Sequence, residues 1–418
     1  MISNMGKIKG SLLILSWALY DLANQFFALN VVSLHFPRWI SVEKGSPEIF
    51  YSLAFGVSMF LVAVFAPFLG ALSDMRNWKK PFLVFFTFLS IIFTVALGLS
   101  TGVLMSLVFF AIANFGCQEA IIFYNALMTR VAPRERIGLV SGLGRMFGYS
   151  GAILALYLTK PVILNMGYQA TFIFTGILFL VFALPCLIFI KEERPGEKMR
   201  LSFFLRKERL VELADRLKMT IRGTETFKGL KNFLKASFFM LCVVNALILF
   251  MAVYAVRVFG LAEDQIIDLV AFSTLFAILG SIVSGFISDL IGYVRSLLII
   301  FFLWGLCILG GGLLEPPFHW LVGALAGLSL GSTWVVLRAL VIKLVPEEKI
   351  GEAFGLFNLV SYFSGMVGPL FWGMMLFLLS RKGEIGYRIS FLSMMIFIAV
   401  GVYFLLKIGR ADAGEERF

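Results

Sequence analysis

Apolar residues occur along this chain in runs of about 20, each long enough to cross roughly 30 Å of hydrocarbon as a helix. Twelve runs stand out, approximately 11–36, 49–72, 81–100, 102–128, 137–159, 168–190, 236–258, 267–288, 295–313, 320–343, 354–379 and 387–407. The pattern predicts an all-α integral membrane protein with twelve transmembrane helices. A polar stretch divides six spans from six, so the expected organisation is an amino-terminal bundle (1–190), a linker (191–235) and a carboxy-terminal bundle (236–418). The first span follows a short basic start at Lys7 and Lys9 and is too long for a signal-peptide core. It also lacks a small-residue cleavage site, so it is expected to stay in place.

The two halves repeat each other. Asn125-Ala-Leu-Met-Thr-Arg130-Val-Ala-Pro133-Arg-Glu135-Arg136-Ile137-Gly138 returns as Arg338-Ala-Leu-Val-Ile-Lys343-Leu-Val-Pro346-Glu-Glu348-Lys349-Ile350-Gly351, an offset of 338 − 125 = 213. Gly70-Ala-Leu-Ser-Asp74 returns as Gly285-Phe-Ile-Ser-Asp289, an offset of 289 − 74 = 215. Two landmarks at nearly one offset indicate a duplicated unit, and such halves build many secondary transporters. A carrier is therefore expected.

Composition fixes the solvent. With 60% hydrophobic residues, 46 Phe, 15% charged residues and a mean hydropathy of +0.93, much of the surface must face lipid. The net charge of +11 is distributed unevenly. If the amino end is inside, the inner loops hold Lys7, Lys9, Arg76, Lys79, Lys80, Arg130, Arg134, Arg136, the basic linker, Arg295, Lys343, Lys349 and the tail cations. The outer loops hold only Arg38, Lys44, Lys160, Arg257, Arg381, Lys382 and Arg388. That asymmetry predicts a multi-pass cell-membrane protein with both termini in the cytoplasm. It also accounts for the charge without nucleic acid, because each basic cluster lies at a membrane boundary.

Cys117, Cys186, Cys242 and Cys307 lie far apart within apolar spans, which suits packing better than disulfides or a metal site. Only His35 and His319 are present, and neither a phosphate-binding Gly-rich loop ending in Lys-Ser/Thr nor a Gly-x-Ser-x-Gly elbow occurs. No enzyme activity, cofactor or metal is expected. In the linker, apolar residues between 201 and 219 interleave with basic ones, which predicts an amphipathic helix lying on anionic lipid, either as a tether and anchor or in a regulatory role.

After the second span comes Gly70-Ala-Leu-Ser-Asp74-Met-Arg76-Asn77-Trp-Lys79-Lys80, and after the eighth comes Gly285-Phe-Ile-Ser-Asp289-Leu-Ile-Gly292-Tyr-Val-Arg295. Here Gly permits close helix approach, Asp suits a helix amino end, and the middle Gly supplies a positive φ. Asn77 stands at that position in the first copy and tolerates the same conformation. Both copies resemble the loop signature of the major facilitator superfamily, although Met75 and Leu290 stand where that pattern prefers a basic residue. The resemblance implies two pseudo-symmetric six-helix bundles. A narrower resemblance lies in Ser16-Trp17-Ala18-Leu19-Tyr20-Asp21-Leu22-Ala23-Asn24, Phe123-Tyr124-Asn125-Ala126-Leu127, the run from Gly138 to Gly151, Gly351-Glu352-Ala-Phe354-Gly355-Leu-Phe-Asn358 and Gly368-Pro369. Together these are similar to the vacuole-effluxer-like branch, whose fungal relatives are linked to autophagy and amino-acid export. The seventh span departs from it, with Val244-Asn245-Ala246 where the branch tends to carry Asp-Gly.

A charge held mid-membrane costs roughly 2.5–3.5 kcal/mol on insertion scales, so Asp21, Glu119 and Arg145 need partners or an aqueous cavity. Counted from the ends of their spans, all three lie roughly 12–15 Å from the cytoplasmic edge. Arg145 is expected to pair with Asp21 or Glu119, leaving one carboxyl spare. That group would either belong to a fixed ion-pair network or couple transport to protons.

Trp17, Tyr20, Asp21, Asn24 and Ala28 form one helical stripe expected to face a cavity, and the resemblance implies that spans one, four, seven and ten line the path. The candidate path residues are Tyr20, Asp21, Asn24, Gln118, Glu119, Asn125, Arg145, Asn245, Trp334, Arg338 and Asn358. Arg338 would either bind a substrate carboxylate or reach the inner surface as a gate residue. The candidate cytoplasmic gate is Asp74, Arg76, Arg130, Glu135, Asp289, Arg295 and Glu348. Glycines in spans five and eleven have the spacing for close helix contact. The expectation is a monomeric gradient-driven carrier of a small polar or zwitterionic solute, with amino acids implied by the resemblance. Export of amphipathic compounds and a non-transporting receptor of the same fold stand as rivals.

Overall fold

The computed structural model describes residues 2–46, 48–192 and 229–412. The expected helix at 201–219 lies outside them. The main helices are α1 (Ile2–Phe27), α2 (Glu48–Arg76), α3 (Lys79–Leu99), α4 (Val103–Ala126), α5 (Ile137–Phe189), α6 (Leu230–Phe259), α7 (Glu263–Ile291), α8 (Tyr293–Leu313), α9 (His319–Leu344), α10 (Ile350–Leu378), α11 (Glu384–Ser393) and α12 (Met395–Asp412). Eleven helical stretches among the described residues are long and apolar enough to span a membrane. Helix suits this sequence because every backbone N–H and C=O is bonded within the segment, leaving only apolar side chains for lipid.

Eleven stretches give twelve crossings because α5 is two spans. Its 53 residues would measure roughly 80 Å if straight. The chain leaves helical geometry at Gly167, with φ 80° and ψ −175°. That it reverses there follows from Asn30, which donates to the Thr175 hydroxyl at 3.0 Å and accepts from the Thr159 hydroxyl at 3.3 Å. On a straight helix those threonines would stand roughly 24 Å apart. The fifth and sixth spans therefore form a hairpin with Gly167 midway between the two threonines.

The described residues group into two compact units. The first lies within Met1–Met219 together with Pro346–Gly355, and the second within Thr220–Val345 and Leu356–Phe418. In the first unit α1 packs on α5, and beyond Phe27 its helix is wound wider, π-type, over Ala28–Leu34. Such a winding shifts the following side chains around the axis and often marks a functional stretch. The fully buried Asn30 lies in it.

In the second unit Tyr254 donates to the Gly311 carbonyl at 2.7 Å and packs its ring on Phe391, while Trp304 donates to the Thr333 hydroxyl at 3.0 Å. Arg388 on α11 pairs with Glu315 at 2.7 Å and Glu384 at 2.8 Å and donates to the carbonyls of Gly312 and Leu314. One guanidinium thus bonds two of the carbonyls at the end of α8. Large apolar side chains such as Phe377, Leu104 and Tyr157 are about three-quarters exposed, as a lipid-facing surface requires.

Candidate functional site

The polar stripe of α1 meets α4 and α5 inside the first unit. Trp17 stacks on Tyr124 with ring centroids 4.5 Å apart, and its indole N–H donates to the Tyr124 carbonyl at 3.1 Å. Tyr20 also stacks on Tyr124, at 4.8 Å, and shares a hydrogen bond with Thr87 of α3. Asn24 accepts from the Cys117 thiol at 3.9 Å. The Nη1 atom of Arg145 on α5 lies 3.9 Å from Asp21 Oδ1.

Small residues on α5 make this approach possible. A Cβ at Gly144 would stand 2.5 Å from the Trp17 ring, and one at Gly151 would stand 2.8 Å from the Leu22 carbonyl. Asp21 is buried, whereas the Arg145 side chain keeps 19% of its surface. The pair therefore combines a sheltered carboxylate with a partly accessible guanidinium.

Glu119 behaves differently. It is fully buried, and neither carboxyl oxygen has a hydrogen-bond partner among the described residues. Cys117 and Tyr124 face α1, and at 100° per residue Glu119 lies about 200° round from Cys117. Phe115 and Phe123, one turn either side of it, both pack on Phe86 of α3. Glu119 thus occupies an aromatic flank of α4 facing away from Asp21, and of the two expected pairings for Arg145 the structure forms the one with Asp21.

The first loop signature forms a latch within the first unit. Asp74 accepts from the backbone N–H groups of Gly351 at 3.1 Å and Glu352 at 2.8 Å, and pairs with Lys79 at 3.0 Å. The first turn of a helix has amides without an internal partner and carries partial positive charge, so a carboxylate there is doubly favoured. Lys79 also donates from Nζ to the Glu347 carbonyl at 3.4 Å, and its backbone N–H, at the amino end of α3, donates to Glu192 at 3.0 Å. Arg130 pairs with Glu347 at 3.1 Å, and Lys349 with Glu352 at 2.7 Å. A recess lined by Asp74, Asn77, Lys79, Arg130, Glu192, Glu347 and Glu348 opens beside the latch. Burial raises the Glu192 carboxyl above its ordinary range, against the pull of the backbone N–H groups of Lys80 and Lys79 and of the charges on Lys79 and Arg130.

Asn77 takes a φ of 53° and Gly292 a φ of 90°, two left-handed turns 292 − 77 = 215 positions apart. In the second signature Asp289 accepts from the Tyr293 hydroxyl. Arg76 is half-buried, while Glu135 and Arg295 are exposed. In the second unit Asn245 donates to Ser364 at 3.2 Å. Arg338 is buried at 1% exposure instead of reaching solvent, Asn358 is buried, and Trp334 is half-buried. In the first unit Asn125 is buried and Gln118 half-buried.

Sequence reasoning missed Asn30, Thr159 and Thr175; of the latch partners it quoted Lys79 and Glu352 without placing them in the gate, and it missed Glu192 and Glu347. Among the residues missed outright, only Asn30 carried a local signal, an amide inside an apolar run.

These features define a multi-pass helical membrane transporter. The family model for the Major Facilitator Superfamily matches residues 22–266 and 236–417, and the chain belongs to that superfamily. An uncharacterized protein of Aquifex aeolicus (strain VF5) is 28% identical over 394 residues, covering 94% of this chain and 96% of that one. The MFS-type transporter YxiO of Bacillus subtilis (strain 168) is 25% identical, covering 85% and 86%. The Autophagy-related protein 22 of Vanderwaltozyma polyspora is 24% identical over 65% of this chain and 57% of its own length. The fold is similar to that of the human organic anion transporter MFSD10, with a TM-score of 0.70 at 13% identity over 95% and 98% of the two chains. It is also similar to the E. coli fucose:proton symporter FucP, with a TM-score of 0.68 at 14% identity over the same shares.

Proposed function

We propose that this transporter is a gradient-driven carrier of small zwitterionic solutes, amino acids foremost, in the cell membrane with both termini in the cytoplasm. The observation that carries the reading is the Asp21–Arg145 pair, which sets opposite charges side by side inside an apolar bundle. A solute bearing both an ammonium and a carboxylate complements such a pair, since it exchanges partners without leaving either charge uncompensated. The distant likeness to an autophagy-related protein agrees with the resemblance of the Tyr20-Asp21-Leu22-Ala23-Asn24 run to the vacuole-effluxer-like branch. Against export of amphipathic compounds, the rings nearest the pair, Trp17, Tyr20 and Tyr124, are buried in one another and present no open aromatic wall.

Coupling falls to Glu119. Its carboxyl has no hydrogen-bond partner among the described residues, so ionising it at its buried site is expensive while the neutral acid is tolerated. A step that wets this flank exchanges its proton. Asp74 releases the first turn of α10 once per cycle, with Arg76, Arg130, Glu135, Glu348, Asp289 and Arg295 completing the cytoplasmic gate, and the protein works as a monomer.

The test is uptake of labelled amino acids into proteoliposomes with and without a pH gradient. Uptake lost in Asp21→Asn and Arg145→Ala variants that stay folded supports the assignment. Absence of uptake for every amino acid under both conditions removes it.

A further inference from the structure

The geometry points to a binding site for an anionic phospholipid head group on the lipid-facing surface of the second unit, built by Lys235 of α6 and Lys407, Tyr403 and Phe404 of α12. The Lys235 ammonium lies 4.9 Å from the centre of the Phe404 ring, and the Lys407 ammonium 4.3 Å from that of Tyr403. The two rings meet edge to face at 5.2 Å, so two cations are held over neighbouring rings. Phe239, one turn along from Lys235, stacks on Phe404 and buttresses that ring.

Neither lysine forms an ion pair among the described residues. Aromatic faces attract cations but do not neutralise them, so an anion shared between the two ammonium groups would compensate both. A phosphodiester is the anion that this position favours. Tyr403 is 55% exposed and Leu406 beside it 49% exposed, on a surface that faces lipid. A Cβ at Gly229 would touch Ile408 and Leu344, which places the start of α6 and the ends of α9 and α12 at one end of the unit. The charge asymmetry assigns that end to the inner leaflet, where anionic lipids lie within reach of juxtamembrane lysines. Acyl chains would run along the apolar surface while the phosphate bridges the lysines. This site is independent of the transported solute.

The full chain, purified in neutral detergent, is titrated with phosphatidylglycerol and, separately, with phosphatidylcholine of the same acyl chains, following bound lipid by native mass spectrometry and the thermal midpoint in parallel. Phosphatidylglycerol is expected to bind and raise the midpoint, and the double variant Lys235→Ala/Lys407→Ala to weaken that binding roughly tenfold or more. Lys235→Arg/Lys407→Arg keeps the binding, and Lys382→Ala, an exposed cation elsewhere, leaves it unchanged. The double alanine variant melting normally in phosphatidylcholine shows that it is folded. Equal phosphatidylglycerol binding in that variant overturns the site, as does equal binding of phosphatidylcholine by the unaltered protein. Protection by inorganic phosphate alone, matching that of the lipid, assigns the lysines to a free anion and overturns the lipid reading.

Discussion

Asp21 and Glu119 are both carboxyls in the same unit, and counting from the ends of their spans puts them at one depth, yet their surroundings have almost nothing in common. Asp21 faces α5, where glycines let the helix come close, and it has a guanidinium within reach. Glu119 lies on the flank of α4 where Phe115 and Phe123 pack on Phe86, and it has no hydrogen bond among the described residues. The difference teaches that depth in a bilayer sets the cost of a charge, whereas the angle around the helix decides what is done about it. One carboxyl is compensated by a fixed charge. The other is best accommodated by a proton.

The most damaging way to test that division is to remove one partner of the pair. Arg145→Ala leaves a sheltered carboxylate alone and is expected to cost about 2–3 kcal/mol, at the low end for a buried pair because the arginine is partly exposed. Uptake should fall at least about tenfold. The neutral double variant Asp21→Asn/Arg145→Gln should recover most of the stability and none of the uptake. Detergent melts of the parent, Asp21→Asn, Arg145→Gln and the double variant form a cycle, and strictly additive losses would show that the two residues do not act together.

Next in size is Gly144→Ala. The added methyl meets the Trp17 ring and is expected to cost about 1–3 kcal/mol while pushing α5 from α1. A melt unchanged from the parent would mean that the close approach does not hold the pair in place.

A smaller thermodynamic effect with a sharper functional signature is expected from Glu119→Gln. The amide is nearly isosteric with the neutral acid, so stability should change by no more than about 1 kcal/mol. Gradient-driven accumulation should vanish while exchange at equal pH persists. If Asp21→Asn shows that split and Glu119→Gln does not, the two carboxyls have the opposite roles.

Smallest is the pH response of Glu192. Because burial raises its carboxyl in the folded protein, it binds a proton more readily folded than unfolded. Its contribution to stability is fully present below the unfolded value near pH 4 and is lost as pH rises through the raised value. Melting between pH 4 and pH 7 should therefore lose this slope in Glu192→Gln, and an identical slope would remove the assignment.

Much of the architecture was legible in the chain. Apolar run length gives the spans, since a helix must be about 20 residues long to cross, and the 215-residue offset placed Asn77 and Gly292 at matching turns that the structure realises with positive φ. The hairpin at Gly167 was legible as a gap between two runs. The facing of Glu119 was not, because counting residues from a span's edge yields a height and no angle; the phase of α4 appears only once Cys117 and Tyr124 are seen against α1. The latch partners were equally hidden. Lys79 meets Glu192 across 113 positions and the Glu347 carbonyl across 268, and no local periodicity encodes a meeting of helix ends so distant in sequence.

The reversal at Gly167 has a practical consequence. Because the fifth and sixth spans join through a single non-helical residue, that junction offers almost no loop for a protease, an antibody or an inserted tag to grip. A label placed there would unwind two helices at once. An inserted epitope belongs instead in the turn around Glu315–Phe318, where the chain is already free of regular helix.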